Sequence, residues 1–138
     1  MDLKNNMKIL IAEDDFGSRM STKIMLSRYG ECDIVINGKE AVDAFNIALN
    51  SGEPYDLICL DIMMPEMSGS EALKLIREKE KAFNIAPKDE AKIVMLTALD
   101  MAKDVIEAYY KGGCTAYLVK PILKENIIKL LKDIKVIP

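Results

Sequence analysis

Five short apolar runs, separated by longer segments of helical periodicity, repeat along the whole chain. A nearly continuous apolar run predicts a strand that is buried on both faces, because a strand with one wet face alternates apolar and polar residues. Strands of this kind lie inside a sheet that helices cover on both sides. The runs predict the strands Lys8–Glu13, Cys32–Ile36, Leu57–Asp61, Ile93–Thr97 and Ala116–Val119.

The segments between and after these runs predict five helices. Asn37 and Ser68 each precede a glutamate by three residues, as in a capping box, and mark two helix starts. The charged segment 78–92 predicts a fraying helix end and a solvated loop. Apolar residues share one helical face in the second, fourth and fifth predicted helices, namely Ala41, Val42, Phe45, Ala48 and Leu49, then Ala102, Val105, Ile106, Tyr109 and Tyr110, then Ile127, Ile128, Leu131 and Ile134.

Five strand–helix pairs form a (βα)5 unit. Because crossovers between parallel strands are right-handed, the predicted fold is an α/β, doubly wound, parallel five-stranded sheet with helices on both faces. The usual strand order for five strands is the flavodoxin-like order 2-1-3-4-5, whose switch point lies between the first and third strands. We expect a single domain over residues 1–138, with its core at about residues 7–135.

The composition argues against several classes of function. A net charge of −3 opposes sequence-independent binding to nucleic acid. The chain contains no histidine, so it holds no histidine-dependent triad or histidine-ligated metal, and its three cysteines lack the spacing of a zinc site. No apolar run approaches the roughly 20 residues that span a bilayer, and the first residues lack the apolar region of a signal peptide. We therefore expect a cytoplasmic protein.

Charged residues follow three of the predicted strands at the point where each strand ends. Glu13 and Asp14 end the first run, Asp61 ends the third, and Lys120 follows the fifth. Because the carboxyl ends of parallel strands share one edge of a sheet, these side chains are expected to converge. A hydrophobic sheet gathers acids at one place only with a cation to hold them or a reaction that needs them.

Except for Asp61, which is followed by an apolar loop and does not cap a helix, these residues also have a simpler interpretation when taken alone. One of the acids at positions 13–15 suits the N-cap of the helix that begins near Phe16. Lys120 suits a solvated strand end, and Thr97, at the end of the fourth predicted strand, suits the cap of a turn. The joint occurrence at four strand ends favours a site.

The set is chemically coherent for phosphoryl transfer. Carboxylates without nitrogen or sulfur neighbours suit Mg²⁺, or Mn²⁺ in its place. Asp61 can serve as both metal ligand and nucleophile, while Lys120 neutralises charge on the phosphoryl oxygens and the Thr97 hydroxyl donates to one of them. Without a cation, some of the close acids are expected to take up protons near neutral pH.

At this point the chain resembles one family, the receiver domain of bacterial two-component response regulators. The similarity extends over essentially the whole chain. The residues that carry it are Ile9–Asp15, Asp56–Gly69, Met95–Ala98 and Gly113–Ile122, in the order and spacing of the family. All four pieces together are far more specific than any one of them.

The resemblance implies a role for each site residue. Asp61 would be the phosphoacceptor, with Asp14 a direct Mg²⁺ ligand and Glu13 a ligand through water. Met63 would contribute its backbone carbonyl to the metal, and Lys120 would bind the phosphate through its amine. Thr97 would be the switch hydroxyl, and Ala98 the small residue that admits the phosphoryl group. Tyr117 would be the aromatic residue that turns inward on activation.

The resemblance also implies partners and an output. The phosphoryl group would come from a sensor histidine kinase or a histidine phosphotransfer protein. A partner protein would then recognise the face formed by the fourth helix, fifth strand and fifth helix. The chain would act as a signalling switch and not as an enzyme, with only self-phosphorylation and slow autodephosphorylation. No output domain is expected, and the sequence leaves the downstream target and phosphorylation-dependent dimerisation open.

The residues leave three other functions to consider beside that of a receiver. An aspartate-nucleophile phosphohydrolase usually has a second acid two residues after the nucleophile, but Met63 stands there and cannot protonate a leaving group. A flavin-binding electron carrier needs a Ser/Thr/Gly phosphate cradle where this chain has three acids. A phosphorylation-independent docking module would have no use for the complete set of pocket residues.

Overall fold

The computed structural model describes residues 6–98 and 113–138. Its five strands are β1 (Met7–Ala12), β2 (Gly30–Val35), β3 (Leu57–Asp61), β4 (Lys92–Thr97) and β5 (Ala116–Val119). Its described helices are α1 (Phe16–Leu26), α2 (Gly38–Asn50), α3 (Gly69–Ala82) and α4 (Lys124–Asp133), with a short 3-10 turn at Pro87–Asp89. The fourth helix predicted from the sequence lies outside the described residues, so α4 is the fifth of the predicted helices.

The sheet is parallel throughout, with the order β2-β1-β3-β4-β5, which confirms the predicted fold class. The predicted strand limits are off by one or two residues at β1, β2 and β4. Strand β2, for example, begins at Gly30 instead of Cys32, because Gly30 pairs with Met7 of β1. Glu13 lies just beyond β1 instead of ending it.

The core lies on both faces of the sheet. Leu10 and Ile58 belong to the cluster that α2 and α3 cover, and Ile9 and Leu57 belong to the cluster on the opposite face, with residues of α1 and α4. These four side chains are fully buried, which is the reason for the unbroken apolar runs. Each such side chain stabilises the fold by about 1.5–3 kcal/mol relative to exposure. Within the described residues, no helix is both long and apolar enough to cross a membrane.

Three helices begin at the polar caps that the sequence indicates. The Ser18 amide donates to the Asp15 carboxylate at 2.8 Å, so the last of the three consecutive acids is the N-cap of α1. Asn37 caps α2 through the Glu40 amide at 2.8 Å, and the Glu40 carboxylate accepts from the amide of Ile36. The Ser68 hydroxyl accepts from the Glu71 amide at the start of α3. Asp15 is therefore a structural residue.

Two glycines allow helices to begin directly against the loop that follows β3. A β-carbon on Gly69 would lie 2.2 Å from the carbonyl oxygen of Asp61, and one on Gly38 would lie 2.3 Å from that of Met67. The Gly69 amide donates to the Ile62 carbonyl at 2.9 Å, and the Gly38 amide donates to the Met67 carbonyl at 3.0 Å. Only a residue without a side chain fits at either contact.

The prediction of a fraying, solvated segment at residues 78–92 is wrong for Glu80. Helix α3 continues to Ala82, and Glu80 is only 1% exposed. Arg77 donates to the Glu80 carboxylate at 2.6 Å and to the carbonyls of Ala91 and Gly113, both at 2.9 Å. The second Glu80 oxygen accepts from the Ala91 amide at 2.8 Å. This Arg77–Glu80 clamp ties α3 to the residues just before β4 and β5, and its pairing makes burial of the acid tolerable.

Candidate functional site

The carboxyl ends of β1, β3 and β5 bring acids and one lysine to the same edge of the sheet. β1 and β3 are neighbours, with Ala12 paired to Leu60, so the residues that follow them are close. β5 lies beyond β4, and the Lys120 amide donates to the Thr97 carbonyl at 2.8 Å where β4 ends. The long lysine side chain crosses the end of β4 to reach the acids.

Lys120 bridges two buried carboxylates. Its ammonium nitrogen lies 2.6 Å from Glu13 Oε1 and 2.9 Å from Asp61 Oδ2. Both acids are buried, whereas the lysine side chain remains partly exposed. Charge-assisted hydrogen bonds of this length are stronger than neutral ones, and here they place one positive charge between two negative charges.

The carboxylates of Glu13, Asp14 and Asp61 form a group whose ligand oxygens all lie within 4.8 Å of one another. Asp14 is exposed, so the group opens to solvent on one side. Glu13 Oε2 is buried and has no hydrogen-bond partner among the described residues. Three close acids and one lysine leave an excess of negative charge, and oxygen-only donors are what Mg²⁺ prefers. The residues therefore fit a magnesium ion.

Burial raises the pKa of Glu13 from 4.5 to about 7. The neighbouring Asp61 carboxylate adds to this rise, and Lys120 opposes it. At Lys120, burial acts to lower the pKa, but the hydrogen bonds to Glu13 and Asp61 outweigh it, so the pKa is raised. Near neutral pH and without a cation, Glu13 is partly protonated, and Lys120 keeps its charge.

Without a bound metal ion, the protein is expected to lose stability as the pH rises from 4.5 to about 7. The pKa of Glu13 is higher in the folded state, so the folded protein binds more protons in this window and raising the pH favours unfolding. Urea unfolding followed by circular dichroism, with a chelator present, measures this decline at the two pH values. Glu13→Gln should show a smaller decline, and an equal decline in both proteins would contradict the attribution to Glu13.

Met63 and Thr97 also lie beside the cluster. The Met63 amide donates to Asp61 Oδ1 at 3.3 Å, and the Met63 residue is 64% exposed. The Thr97 hydroxyl is buried and donates to the Ala98 carbonyl at 3.3 Å, while Ala98 itself is exposed. Tyr117 is half-buried and packs against the apolar cluster on the α2–α3 side. The roles assigned to these four residues from the sequence stay predictions.

Sequence reasoning did not find Arg19. One of its guanidinium nitrogens, Nη1, donates to the carbonyls of Glu13 at 3.2 Å and Asp14 at 3.1 Å. The only sequence signal is an arginine in the first turn of a helix, where a basic residue is unfavourable for the helix dipole. That mismatch indicates a local role but does not name the partner.

The comparison with protein families gives one match, and it covers most of the chain. Residues 9–132 match the family described as the response regulator receiver domain. The matched range contains all the residues of the acidic cluster together with Lys120.

The curated relatives differ widely in length. The chemotaxis protein CheY homolog of Campylobacter jejuni is 30% identical over 128 residues, which are 93% of this chain and 92% of that protein. The sensory/regulatory protein RpfC of Xanthomonas campestris is 31% identical over 133 residues, which are 95% of this chain but only 17% of RpfC. The chain thus spans a small part of some relatives and nearly all of another.

A solved structure with a bound metal ion is also similar. It is the receiver domain of the histidine kinase CKI1 from Arabidopsis thaliana, complexed with Mg²⁺ and BeF3−. The TM-score is 0.75 at 26% identity, and the match covers 92% of this chain and 90% of that one.

Proposed function

This chain belongs to the response regulator receiver domain family, and we propose from that premise that Asp61 is its phosphoacceptor. The chain is a phosphorylation-activated receiver of the response regulator type. One observation carries the assignment to Asp61: the Lys120 ammonium group bridges Glu13 and Asp61 inside the three-carboxylate cluster.

The chemistry of the cluster is that of phosphoryl transfer from a phosphohistidine. A carboxylate oxygen of Asp61 attacks the phosphorus atom, forming a P–O bond as the P–N bond breaks. The electron pair of the P–N bond stays on the imidazole nitrogen, which takes up a proton. Lys120 lies within 3 Å of Asp61 and would neutralise the charge of the incoming phosphoryl oxygens.

Asp14 would bind Mg²⁺ directly, and the Asp61 carboxylate would contribute a second oxygen. Glu13 would act through water, and Met63 would contribute its backbone carbonyl. The bound ion would supply positive charge to the phosphoryl oxygens during transfer. The buried, unpartnered oxygen of Glu13 supports this arrangement, because such an oxygen needs a donor or a cation.

The switch would work through the end of β4. An acyl phosphate on Asp61 adds about two negative charges and new acceptor oxygens. These would draw the Thr97 hydroxyl away from the Ala98 carbonyl, which it contacts at 3.3 Å in this structure. Tyr117 would then turn inward, and the face that includes β5 and α4 would change shape for a partner.

The phosphoryl donor would be a sensor histidine kinase or a histidine phosphotransfer protein. The names of RpfC and CKI1, a sensory/regulatory protein and a histidine kinase, support donors of this class. We propose that the chain turns over no separate substrate and returns to the resting state by slow autodephosphorylation. A single-domain organisation and a cytoplasmic location stay predictions.

Incubation with acetyl phosphate and Mg²⁺ tests this function. Mass spectrometry is expected to find one added phosphoryl group per chain, and removal of the metal with EDTA is expected to prevent the addition. The donor set of Glu13, Asp14 and Asp61 is the reason, because without a cation three close acids repel an incoming phosphate. Labelling that persists in EDTA would contradict the metal site, and sustained hydrolysis of phosphomonoesters would favour a phosphohydrolase.

A further inference from the structure

We infer that Arg19 is a positioning residue that holds the two metal-binding acids Glu13 and Asp14 in place through their backbone. The inference rests on the proposed magnesium site. Arg19 lies on α1, one turn after the acids, and contacts their carbonyl groups and not their carboxylates. Its effect on the metal would therefore be indirect.

The Arg19 side chain binds two consecutive carbonyl groups just after β1. Its guanidinium nitrogen Nη1 donates to the carbonyls of Glu13 and Asp14, at 3.2 and 3.1 Å. Its backbone amide also donates to the carbonyl of Asp15 at 2.9 Å, but this is the first hydrogen bond of α1, which any residue except proline would form here. The turn that carries the two acids is thus held by one side chain, because each fixed carbonyl restricts the rotation of the peptide unit to which it belongs.

The Arg19 side chain is itself supported. The guanidinium carbon lies 5.2 Å from the centre of the Phe16 ring, within the range of a cation–π contact. Phe16 is 66% exposed, so its ring is not buried in the core and remains available to the arginine. A planar guanidinium held against a ring loses less freedom when it forms further hydrogen bonds.

The charge of Arg19 and its hydrogen bonds act on a metal ion in opposite directions. A positive charge beside the carboxylate cluster repels a divalent cation, so removal of the charge alone would strengthen binding. Removal of the hydrogen bonds frees the turn and would weaken binding, because the ligands must then be ordered when the ion binds. The sign of the change in Mg²⁺ affinity therefore distinguishes a positioning residue from a mere neighbouring charge.

Isothermal titration calorimetry with Mg²⁺ on the full chain tests the inference without any phosphorylation. Arg19→Met keeps an apolar stem and removes both the charge and the hydrogen bonds. Loss of groups that orient metal ligands commonly weakens affinity by 10- to 100-fold, and we expect about 10-fold here because the backbone and not the carboxylates is released. Arg28→Met is the matched control, since Arg28 also lies over an aromatic ring, that of Tyr29 at 5.4 Å, but is placed just beyond the opposite end of α1.

The possible results separate this inference from the proposed function. Wild-type affinity, or tighter binding, in a folded Arg19→Met variant would overturn the inference and leave the magnesium site intact. An absence of Mg²⁺ binding in the wild type would overturn both. If Arg19→Met does not fold, the Mg²⁺ affinity of Arg19→Lys tests the inference, because lysine keeps the charge but lacks the planar guanidinium group. It should bind more weakly than the wild type, and equal binding would overturn the inference.

Amide hydrogen exchange gives a second measurement in the metal-free protein. Exchange at residues 13–18 should become faster in Arg19→Met than in Arg28→Met, since only the first variant releases the carbonyls of Glu13 and Asp14. Equal exchange in the two variants would count against a positioning role.

Discussion

Asp61→Asn is expected to abolish phosphorylation by acetyl phosphate, with no added phosphoryl group detectable by mass spectrometry. The amide of asparagine is not a nucleophile towards phosphorus, and the loss should therefore be complete and not partial. The fold should remain, because asparagine has nearly the same shape and its oxygen can still accept from Lys120 Nζ, which lies 2.9 Å from Asp61 in the wild type. Circular dichroism and thermal unfolding would check this.

Asp43→Asn is the matched control for this prediction. Asp43 is an exposed residue of α2, and the substitution removes the same single charge away from the acidic cluster. Its labelling should equal that of the wild type. Labelling of Asp61→Asn at a substantial fraction of the wild-type level would mean that a different residue accepts the phosphoryl group.

Arg77→Met is expected to lower the free energy of unfolding by about 3–5 kcal/mol. The substitution removes the partner of Glu80, which is 1% exposed, and leaves a charge in the interior without its 2.6 Å ion pair. It also deprives the carbonyls of Ala91 and Gly113 of their side-chain donor. Urea denaturation of the wild type and the variant measures the difference.

The controls for the Arg77–Glu80 clamp use the same helix. Lys74→Met makes the equivalent change at an exposed position of α3 and should alter stability by less than about 0.5 kcal/mol. Arg77→Met combined with Glu80→Gln should recover part of the loss, since no uncompensated charge then remains inside. If Arg77→Met is as stable as Lys74→Met, the buried pair is not a stabilising feature of the folded state.

The proximity of Glu13, Asp61 and Lys120 could be predicted from the sequence, because it follows from the fold class. Each residue comes at the end of an apolar run, and all carboxyl ends of a parallel sheet lie at one edge. What the residues themselves did not reveal is which of the three consecutive acids is buried, which is exposed and which caps α1. Glu13 is buried, Asp14 is exposed in the same cluster, and Asp15 caps α1. That division depends on the direction in which the chain leaves β1. The pattern of apolar and polar residues does not predict this direction.

Glu80 and Arg19 show where sequence reasoning stops. A dense run of charges predicts solvent exposure, and only the fold brings Arg77 and the Ala91 amide to the two oxygens of Glu80. Arg19 folds back on the preceding turn, where its partners are carbonyl groups that every residue possesses. A hydrogen bond to a backbone carbonyl does not require a particular residue type at the position that accepts it. A pattern of residue types therefore cannot predict such a contact.

The glycines at positions 38 and 69 also bear on the direction of the proposed switch. They leave no gap between the helix starts and the loop after β3, because a single added carbon at either one would collide with that loop. If Asp61 is phosphorylated, as we propose, the helix starts at these two glycines cannot move closer to the loop to make room for the phosphoryl group. Under the proposed mechanism, the displacement would then pass to the other side of Asp61, where β4 ends at Thr97, and the tight backbone contacts of the two glycines would determine which surface of the protein responds.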